Sequence, residues 1–509
     1  MSRIIATVTD QIDILSDRDP KMLKASPFRR RILLMLGTGL IALSGCAPGR
    51  DEKAARAPDD LSSLRAGQEI TSAQHRASPL AAWWSVYADP QLDALVAQAQ
   101  QDAPSLQIAQ ARLRDAEAVE GAARANQLPH VDGYGWIAGE QFPGHSYYPA
   151  PYKGNFGSEG QFQLDVQYHV DFWGRWRKTT RAAAYWQIVA EQEAADARLL
   201  IETAVVNAYV RLDAAYKMQD VARAGLSRRE GVVAMLTLRA KAGLSTDIDA
   251  VAAREALTDT RSQIDLLDGE ISARRHEIAA LLGKTPAFAD GLNRPRLPSI
   301  ADPAPLSSVP AVLLGYRPDV SAKRAAVEAA ANAVGAARAA FYPDVDLVAF
   351  AGFRALDIGH IFRPGSVASQ FGPAVTLPIF QGGQLRAALK NRLGEYDAAV
   401  SDYNATLSRA LQQVADGIAN LKAGQAAKGE ADRAVSYWTH VVELQNLRQK
   451  NGISDTNDRL DAETALLLSR RRAVEADARI AVAQITLIRA LGGAWSPTFT
   501  FTSGQTSHG

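Results

Sequence analysis

Gln161-Phe162-Gln163-Leu164-Asp165-Val166-Gln167-Tyr168-His169-Val170-Asp171-Phe172 alternates polar and apolar side chains without a break. Successive side chains of a strand point to opposite faces, so this stretch offers one wholly apolar face and one wholly polar face. A soluble sandwich, with the polar face in water and the apolar face on a core, is the commoner cause of such alternation. The stretch by itself does not separate that reading from a strand that faces lipid. Its length favours lipid, because about 9–11 residues of tilted strand cross a bilayer. Phe172, Trp173 and Trp176 then gather at its end, where an aromatic girdle at the membrane interface would sit.

Working outward, three partner strands are expected. Residues 130–142 are glycine-rich and aromatic, residues 344–356 alternate in part, and residues 369–380 place Phe371, Val375, Leu377 and Ile379 on one face; the alternating stretch itself is expected to span residues 159–173. Four such strands cannot close a barrel, and an open sheet edge in hydrocarbon leaves backbone groups unsatisfied. A membrane reading therefore requires the chain to share its barrel with copies of itself.

The strands sit inside a duplication. Leu128-Pro129 and Tyr342-Pro343 each end an Ala-rich helix and open a strand pair; Phe172-Trp173-Gly174 and Phe380-Gln381-Gly382 end the pair; Gly243-Leu244-Ser245 and Gly452-Ile453-Ser454 break a long helical run; Leu282-Gly283 and Leu491-Gly492 close the unit. From the second mark onward the offset stays near 209 residues, as in 452 − 243 and 491 − 282. The organisation expected is residues 83–283 as a first helix-strand-strand-helix-helix repeat, a Pro-rich linker over 284–310, a second repeat over 311–492, and a tail over 493–509. Arg175 to Ala242 holds no proline, and a continuous helix of that length spans on the order of 100 Å. Gln91 to Asn126 and Leu244 to Leu282 read as two shorter helices that match the long one end to end; Pro318 to Phe341, Gly383 to Lys450 and Asp455 to Leu491 repeat the arrangement. A soluble coiled-coil rod explains the helices but not the strands.

At the front, Arg29-Arg30-Arg31 precedes the apolar run Ile32 to Leu43, followed by Leu43-Ser44-Gly45-Cys46. A basic segment, a short apolar run, small residues and a cysteine make a secretory signal with a lipoprotein processing site over residues 1–45, and Met22 offers a second start that this signal fits better. Cys46 is the only cysteine, so it has no disulfide role within one chain and reads as the lipid acceptor. Residues 46–82 are then a lipidated N-terminus and polar tether. Similarity to lipoprotein sorting signals, with Ala47 and not aspartate after the cysteine, points to the outer membrane.

Other chemistries find no support. Net charge is +1 and no basic stripe with interleaved aromatics occurs, which argues against nucleic acid. Gly283-Lys284-Thr285 has the tail of a phosphate-binding loop, but Ile278 stands where its first glycine belongs. His130, His145, His169 and His360 are scattered, with no two at helical metal-ligand spacing beside a carboxylate, and no nucleophile elbow or paired catalytic constellation appears. No catalytic residue, metal or cofactor is expected.

The chain resembles the TolC-like outer membrane factors, in particular the NodT-family lipoproteins of efflux systems, from about Trp83 to Trp495. The resemblance is carried in order by Trp83-Trp84 with Asp89-Pro90-Gln91-Leu92, Asp171-Phe172-Trp173-Gly174-Arg175, Gly315-Tyr316-Arg317-Pro318-Asp319, and Leu377-Pro378-Ile379-Phe380 with Gly382-Gly383. It implies a mainly α fold with a membrane β-barrel: a homotrimer forming one 12-stranded outer-membrane barrel and a 12-helix periplasmic α-barrel. It implies no enzyme but a passive exit duct, working with a periplasmic adaptor and an inner-membrane transporter. A lipid-anchored periplasmic coiled-coil protein without channel activity is the alternative, and a periplasmic enzyme a third.

In such proteins the glycine breaks are the periplasmic tips where an adaptor docks, here Gly243, Leu244, Ser245, Gly452, Ile453 and Ser454. Threefold symmetry would triplicate the carboxylates just past them, so Asp247, Asp249, Asp458 and Asp461, with Asn457 where an apolar gating residue can occur, are expected at the pore constriction. Asp247 and Asp455 read equally well as solvated charges favoured by a helix N-terminus. Asp458 and Asp461 lie three apart on one helical face.

Overall fold

The computed structural model describes residues 54–55, 57–59, 70–71, 82–244, 246–298, 309–310, 317–451 and 456–493. Asp89 caps the first helix, α1 (Pro90–Asp102): its Oδ1 accepts the N–H groups of Gln91 at 2.9 Å and Leu92 at 3.3 Å, while Pro90 fills a first-turn position whose N–H would lack a partner anyway. The single helix expected over Gln91–Asn126 is corrected here. Pro104 has no N–H and disfavours helical backbone at the residue before it, so Ala103 turns to ψ 124° and α2 (Pro104–Ala125) starts anew.

A hairpin of β1 (His130–Gln141) and β2 (Phe156–His169) follows, then α3 (Arg175–Lys241, 67 residues) and α4 (Asp247–Leu281, 35 residues). The second half runs α5 (Pro318–Ala339), β3 (Asp344–Ala355), β4 (Val367–Thr376), α6 (Gln384–Lys450, again 67 residues) and α7 (Thr456–Ala490, again 35). At 1.5 Å per residue each long helix is about 100 Å. Both α2 and α4 lie along α3, as α5 and α7 lie along α6, and the halves interlock because α3 also packs on α5 and α7.

The main apolar core lies midway along the long helices. Val205, Val206, Tyr209 and Leu212 of α3, Val400, Leu407 and Val414 of α6, and Leu487 and Ile488 of α7 share one cluster with Leu92, Val96, Trp83 and Tyr87. Polar contacts lock α1 to this belt. The Tyr209 hydroxyl donates to Asp89 Oδ2 at 2.9 Å, Gln91 Nε2 donates to that hydroxyl at 2.9 Å, and Gln91 Oε1 accepts the N–H of Asn293 in the linker at 2.9 Å. Nearer the tips the helices approach closely: a Cβ on Gly225 would meet Leu467 Cδ1 at 2.9 Å. Two short stretches tie distant parts of the chain to this frame. Ile70–Thr71 pairs in parallel with Val309–Pro310, and the N–H groups of Ala55 and Asp59 donate to Asp397 and Asn404 of α6, both at 3.1 Å.

The four strands form one antiparallel sheet in the order β1-β2-β3-β4, so its central pair joins strands from opposite halves and β1 and β4 are its edges. Two strand ends are corrected. β2 stops at His169, short of the expected 173, although the Val170 N–H still donates to Val345 O at 2.9 Å. β4 stops at Thr376 and not at 380, because its partner β3 begins at Asp344, opposite Thr376; Leu377, Ile379 and Phe380 therefore lie beyond the sheet.

Candidate channel-forming surfaces

Register sorts the sheet into two faces. Val131, Val166, Ala349 and Phe371 line up across the four strands, as do Gly133, Leu164, Ala351 and Ser369, and Gly135, Phe162, Phe353 and Val367. Among the described residues, nothing covers much of this apolar face: Phe371 is 89 % exposed, Val131 63 % and Leu164 58 %. A continuous apolar patch of this kind marks a surface that meets lipid or protein. The opposite face carries Gln161, Gln163, Asp165, Gln167 and His169 of β2, with Asp132, Asp346 and Arg354 from its neighbours, interrupted by Tyr134, Trp136, Val348 and Phe350. Gln163 Nε2 donates to Asp165 Oδ1 at 2.7 Å, and Arg354 donates through Nη2 to the nearly buried Glu159 at 3.1 Å. Among the described residues, no helix is long and apolar enough to cross a membrane.

The three aromatics expected as a girdle diverge in surroundings. Phe172 is exposed just past the strand end; Trp173 stacks on Tyr342 at 4.6 Å between ring centroids and donates its Nε1–H to Pro343 O at 2.9 Å. Trp176 stacks on the ring of His169 at 5.0 Å, with the Arg175 guanidinium 5.4 Å from its centroid, and so belongs to the polar side of the sheet.

At the far end of the helices, α3 closes on Gly243, whose φ of +70° favours a residue without Cβ. The Leu244 N–H donates to Arg239 O at 2.9 Å and the Gly243 N–H to Ala240 O at 3.0 Å, a Schellman ending that satisfies carbonyls the helix leaves free. The turn exposes Leu244 and Ile248, each 76 %, and Val251. Asp247 and Asp249 stand in the first turn of α4, with the Thr246 hydroxyl 3.4 Å from Asp249 Oδ2. Ser245, Gly452, Ile453 and Ser454 lie outside the described residues, as do Cys46 and the whole signal segment; Asn457 is placed only as backbone within α7. Asp458 and Asp461 are exposed on α7, while Leu460 packs towards Val232, Leu236 and Ala250, and Ala462 and Leu466 pack with Val442. The two carboxylates are thus on the face that intrachain packing leaves open.

One polar knot, all of it within the second half, ties the start of α5 to α6 and to the end of α7. Arg317, buried, forks onto Asp319 through Nε at 2.9 Å and Nη2 at 2.8 Å, and donates Nη1–H to Ala490 O at 3.0 Å and Nη2–H to Gln413 at 2.8 Å. Burial pushes the Asp319 carboxyl up, but the Arg317 guanidinium outweighs it and the group is held below its ordinary value. Asp213 goes the other way: burial raises it, against the opposing pull of Lys217 at 2.7 Å.

The sequence did not bring together one cluster that the structure does. One ring nitrogen of His169 and one carboxylate oxygen each from Asp344 and Asp346 lie within 4.8 Å of one another. Helical spacing was the wrong test for these residues. Asp-x-Asp at 344–346 places both carboxylates on one face of a strand, and only the β2–β3 register adds the histidine.

A family profile described as "Outer membrane efflux protein" matches residues 95–284 and again 309–493, one match in each half. The fusaric acid resistance protein FusA of Burkholderia cepacia is 37 % identical over 365 residues, 70 % of this chain and 68 % of that protein. The multidrug resistance outer membrane protein MdtP of Escherichia coli K12 is 26 % identical over 91 % of this chain and 97 % of its own length. Among solved structures, the outer membrane protein VceC of Vibrio cholerae superposes with a TM-score of 0.76 at 33 % identity, covering 82 % of this chain and 99 % of that one. With both halves matched by the profile and the helix-and-sheet architecture shared along nearly all of VceC, the chain belongs to the outer membrane efflux protein family.

Proposed function

We propose that the protein is the exit duct of a tripartite efflux pump, with the sheet in the outer membrane and the helices in the periplasm. Three copies would place their four strands edge to edge in one 12-stranded barrel and their long helices and stacked short helices in one 12-helix tunnel. One observation carries this reading: among the described residues, an open four-stranded sheet, apolar and largely uncovered on one face, mainly polar on the other and unpaired at both edges, stands at one end of helices about 100 Å long. The apolar face meets lipid, the polar face lines the pore, and β1 of one copy pairs with β4 of the next. A lipid on Cys46 adds an anchor. The glycine tips engage a periplasmic adaptor, which links the duct to an inner-membrane transporter. A lipid-anchored rod without a channel leaves the exposed sheet unexplained.

Asp458 and Asp461 are assigned to the constriction at the closed end, with Asp247 and Asp249 at the neighbouring tip. Rings of carboxylates confer preference for cations. Purified protein reconstituted in planar bilayers should run as a trimer on native gels, conduct weakly, prefer cations, and be blocked by multivalent cations from the periplasmic side. Asp458→Asn combined with Asp461→Asn should weaken both block and selectivity. Unchanged reversal potentials and block in the double variant place the constriction elsewhere, and absence of conductance in the wild type overturns the duct itself.

A further inference from the structure

We infer that His169, Asp344 and Asp346 form a binding site for one first-row divalent metal ion per chain, at the base of the sheet where the strands hand over to α3. The placement begins with backbone register. Val170 N–H donates to Val345 O at 2.9 Å, which makes 170 and 345 a hydrogen-bonded pair and His169 and Asp346, one step along, a non-hydrogen-bonded pair. Side chains of such pairs approach most closely across an antiparallel ladder, about 4.5 Å between Cα atoms. Asp344 follows two residues away on the same face.

The side chains bear this out. His169 Nδ1 and Asp346 Oδ1 are in direct contact, yet both atoms are buried and neither has a partner in hydrogen-bond geometry. The flanking groups fix the ring without using up its donor atom: Trp176 stacks on the imidazole face at 5.0 Å. Asp344 Oδ2 has one looser ion pair, 3.6 Å from Arg175 Nη1, whose guanidinium also lies over Trp176. Three ligand atoms within 4.8 Å of one another need only small side-chain rotations to surround an ion, since ligands about 2.0–2.2 Å from a shared metal stand roughly 3–3.5 Å apart.

One imidazole and two carboxylates suit Zn²⁺, Co²⁺ or Mn²⁺, with water completing the shell, and do not suit soft Cu(I). The ion would clamp β2 to β3, strands that come from opposite halves of the chain. Since one chain supplies all three ligands, the site does not depend on how many copies assemble, and its fate is separable from that of the duct.

The experiment titrates the purified full-length protein in detergent with CoCl₂, followed by visible absorption and by calorimetry, with ZnCl₂ as competitor. Expected is one Co²⁺ per chain, displaced by Zn²⁺, with affinity lowered at least about tenfold by His169→Asn and by Asp346→Asn, tenfold being the low end for loss of even an outer-shell partner. The titration is repeated in the Asp458→Asn, Asp461→Asn background, where cations held at the proposed constriction no longer contribute; the one Co²⁺ per chain at the base of the sheet should persist there. Should the His169 and Asp346 variants fail to fold, Asp344→Asn, which removes only the pair with Arg175, and protection of His169 from diethyl pyrocarbonate by Zn²⁺ in the wild type decide the question. No Co²⁺ binding by the folded wild type at millimolar metal, equal affinity in folded ligand variants, or unprotected His169 overturns the assignment.

Discussion

Leu164 and Gln163 are neighbours in sequence and face opposite sides of the sheet, so one arginine scanned across the two positions tests which side meets lipid. Leu164 is 58 % exposed on the apolar face near the middle of β2; Gln163 lies on the polar face, donating to Asp165 and accepting from Gln161. An arginine on the lipid face of a barrel costs about 2–4 kcal/mol near the bilayer midplane. In the proposed barrel of three copies, Leu164→Arg costs roughly 6–12 kcal/mol per assembly, comparable to the whole stability of an ordinary domain, about 5–15 kcal/mol. Gln163→Arg places its charge in water beside Asp165, where a surface change is worth about 0.5 kcal/mol or less. The assay is the heat-modifiable fraction on semi-native gels of outer-membrane vesicles, at matched expression. Leu164→Arg should abolish or sharply deplete the compact form while Gln163→Arg retains it. Equal loss in both, or greater loss in Gln163→Arg, would refute the assignment of faces.

At the tip, Gly243→Val places a β-branched residue at φ +70° and should cost about 1–3 kcal/mol locally; efflux should fall while trimer yield is kept, and a crosslinker at Leu244 should capture less adaptor than in the wild type. Cys46→Ala should abolish palmitate labelling but leave some trimer in the membrane, because the sheet inserts independently of the anchor; equal labelling of variant and wild type would sink the lipid assignment. Asp319→Asn leaves the buried Arg317 guanidinium without its carboxylate and should destabilise by about 3–5 kcal/mol, read as a lowered unfolding midpoint at pH 7. Because the Asp319 pKa is depressed in the folded protein, its contribution is present above the unfolded value near 3.9 and is lost as pH falls through the lower folded value; the difference between variant and wild type should therefore shrink below about pH 4.

Much of this architecture was legible from local rules. Alternation over Gln161–Val170 reports a strand with two unlike faces, and Gly243, a helix-ending residue followed by acidic side chains, reports the turn between α3 and α4. The equal lengths of α3 and α6, 67 residues each, follow from the repeated punctuation. What escaped depends on a single proline or on pairing partners elsewhere in the chain. Pro104 divides the first helix, and the last strand ends early because β3, its partner from the same half, begins only at Asp344. The meeting of His169 with Asp344 and Asp346 needs the register of two strands about 175 residues apart, which no local pattern encodes.

The two unpaired edges of the sheet bear on life among relatives. A cell that makes two chains of this fold at once exposes matching β1 and β4 backbones from both, and hydrogen bonds along a ladder do not distinguish one parent from another. Sorting then falls to the side chains at the seam. On the apolar face of β1 these are sparse, Gly133, Gly135 and Gly139 leaving only Val131 and Ile137 as large side chains, whereas that face of β4 offers Val367, Phe371 and Val375. Fidelity between coexisting paralogues must accordingly be set elsewhere along the shared contact, in the helices, or by making each chain where and when its sisters are the nearest partners. If the proposed duct assembles from three copies, mixed ducts with one subunit's tip foreign to the adaptor beneath it are the error this fold invites.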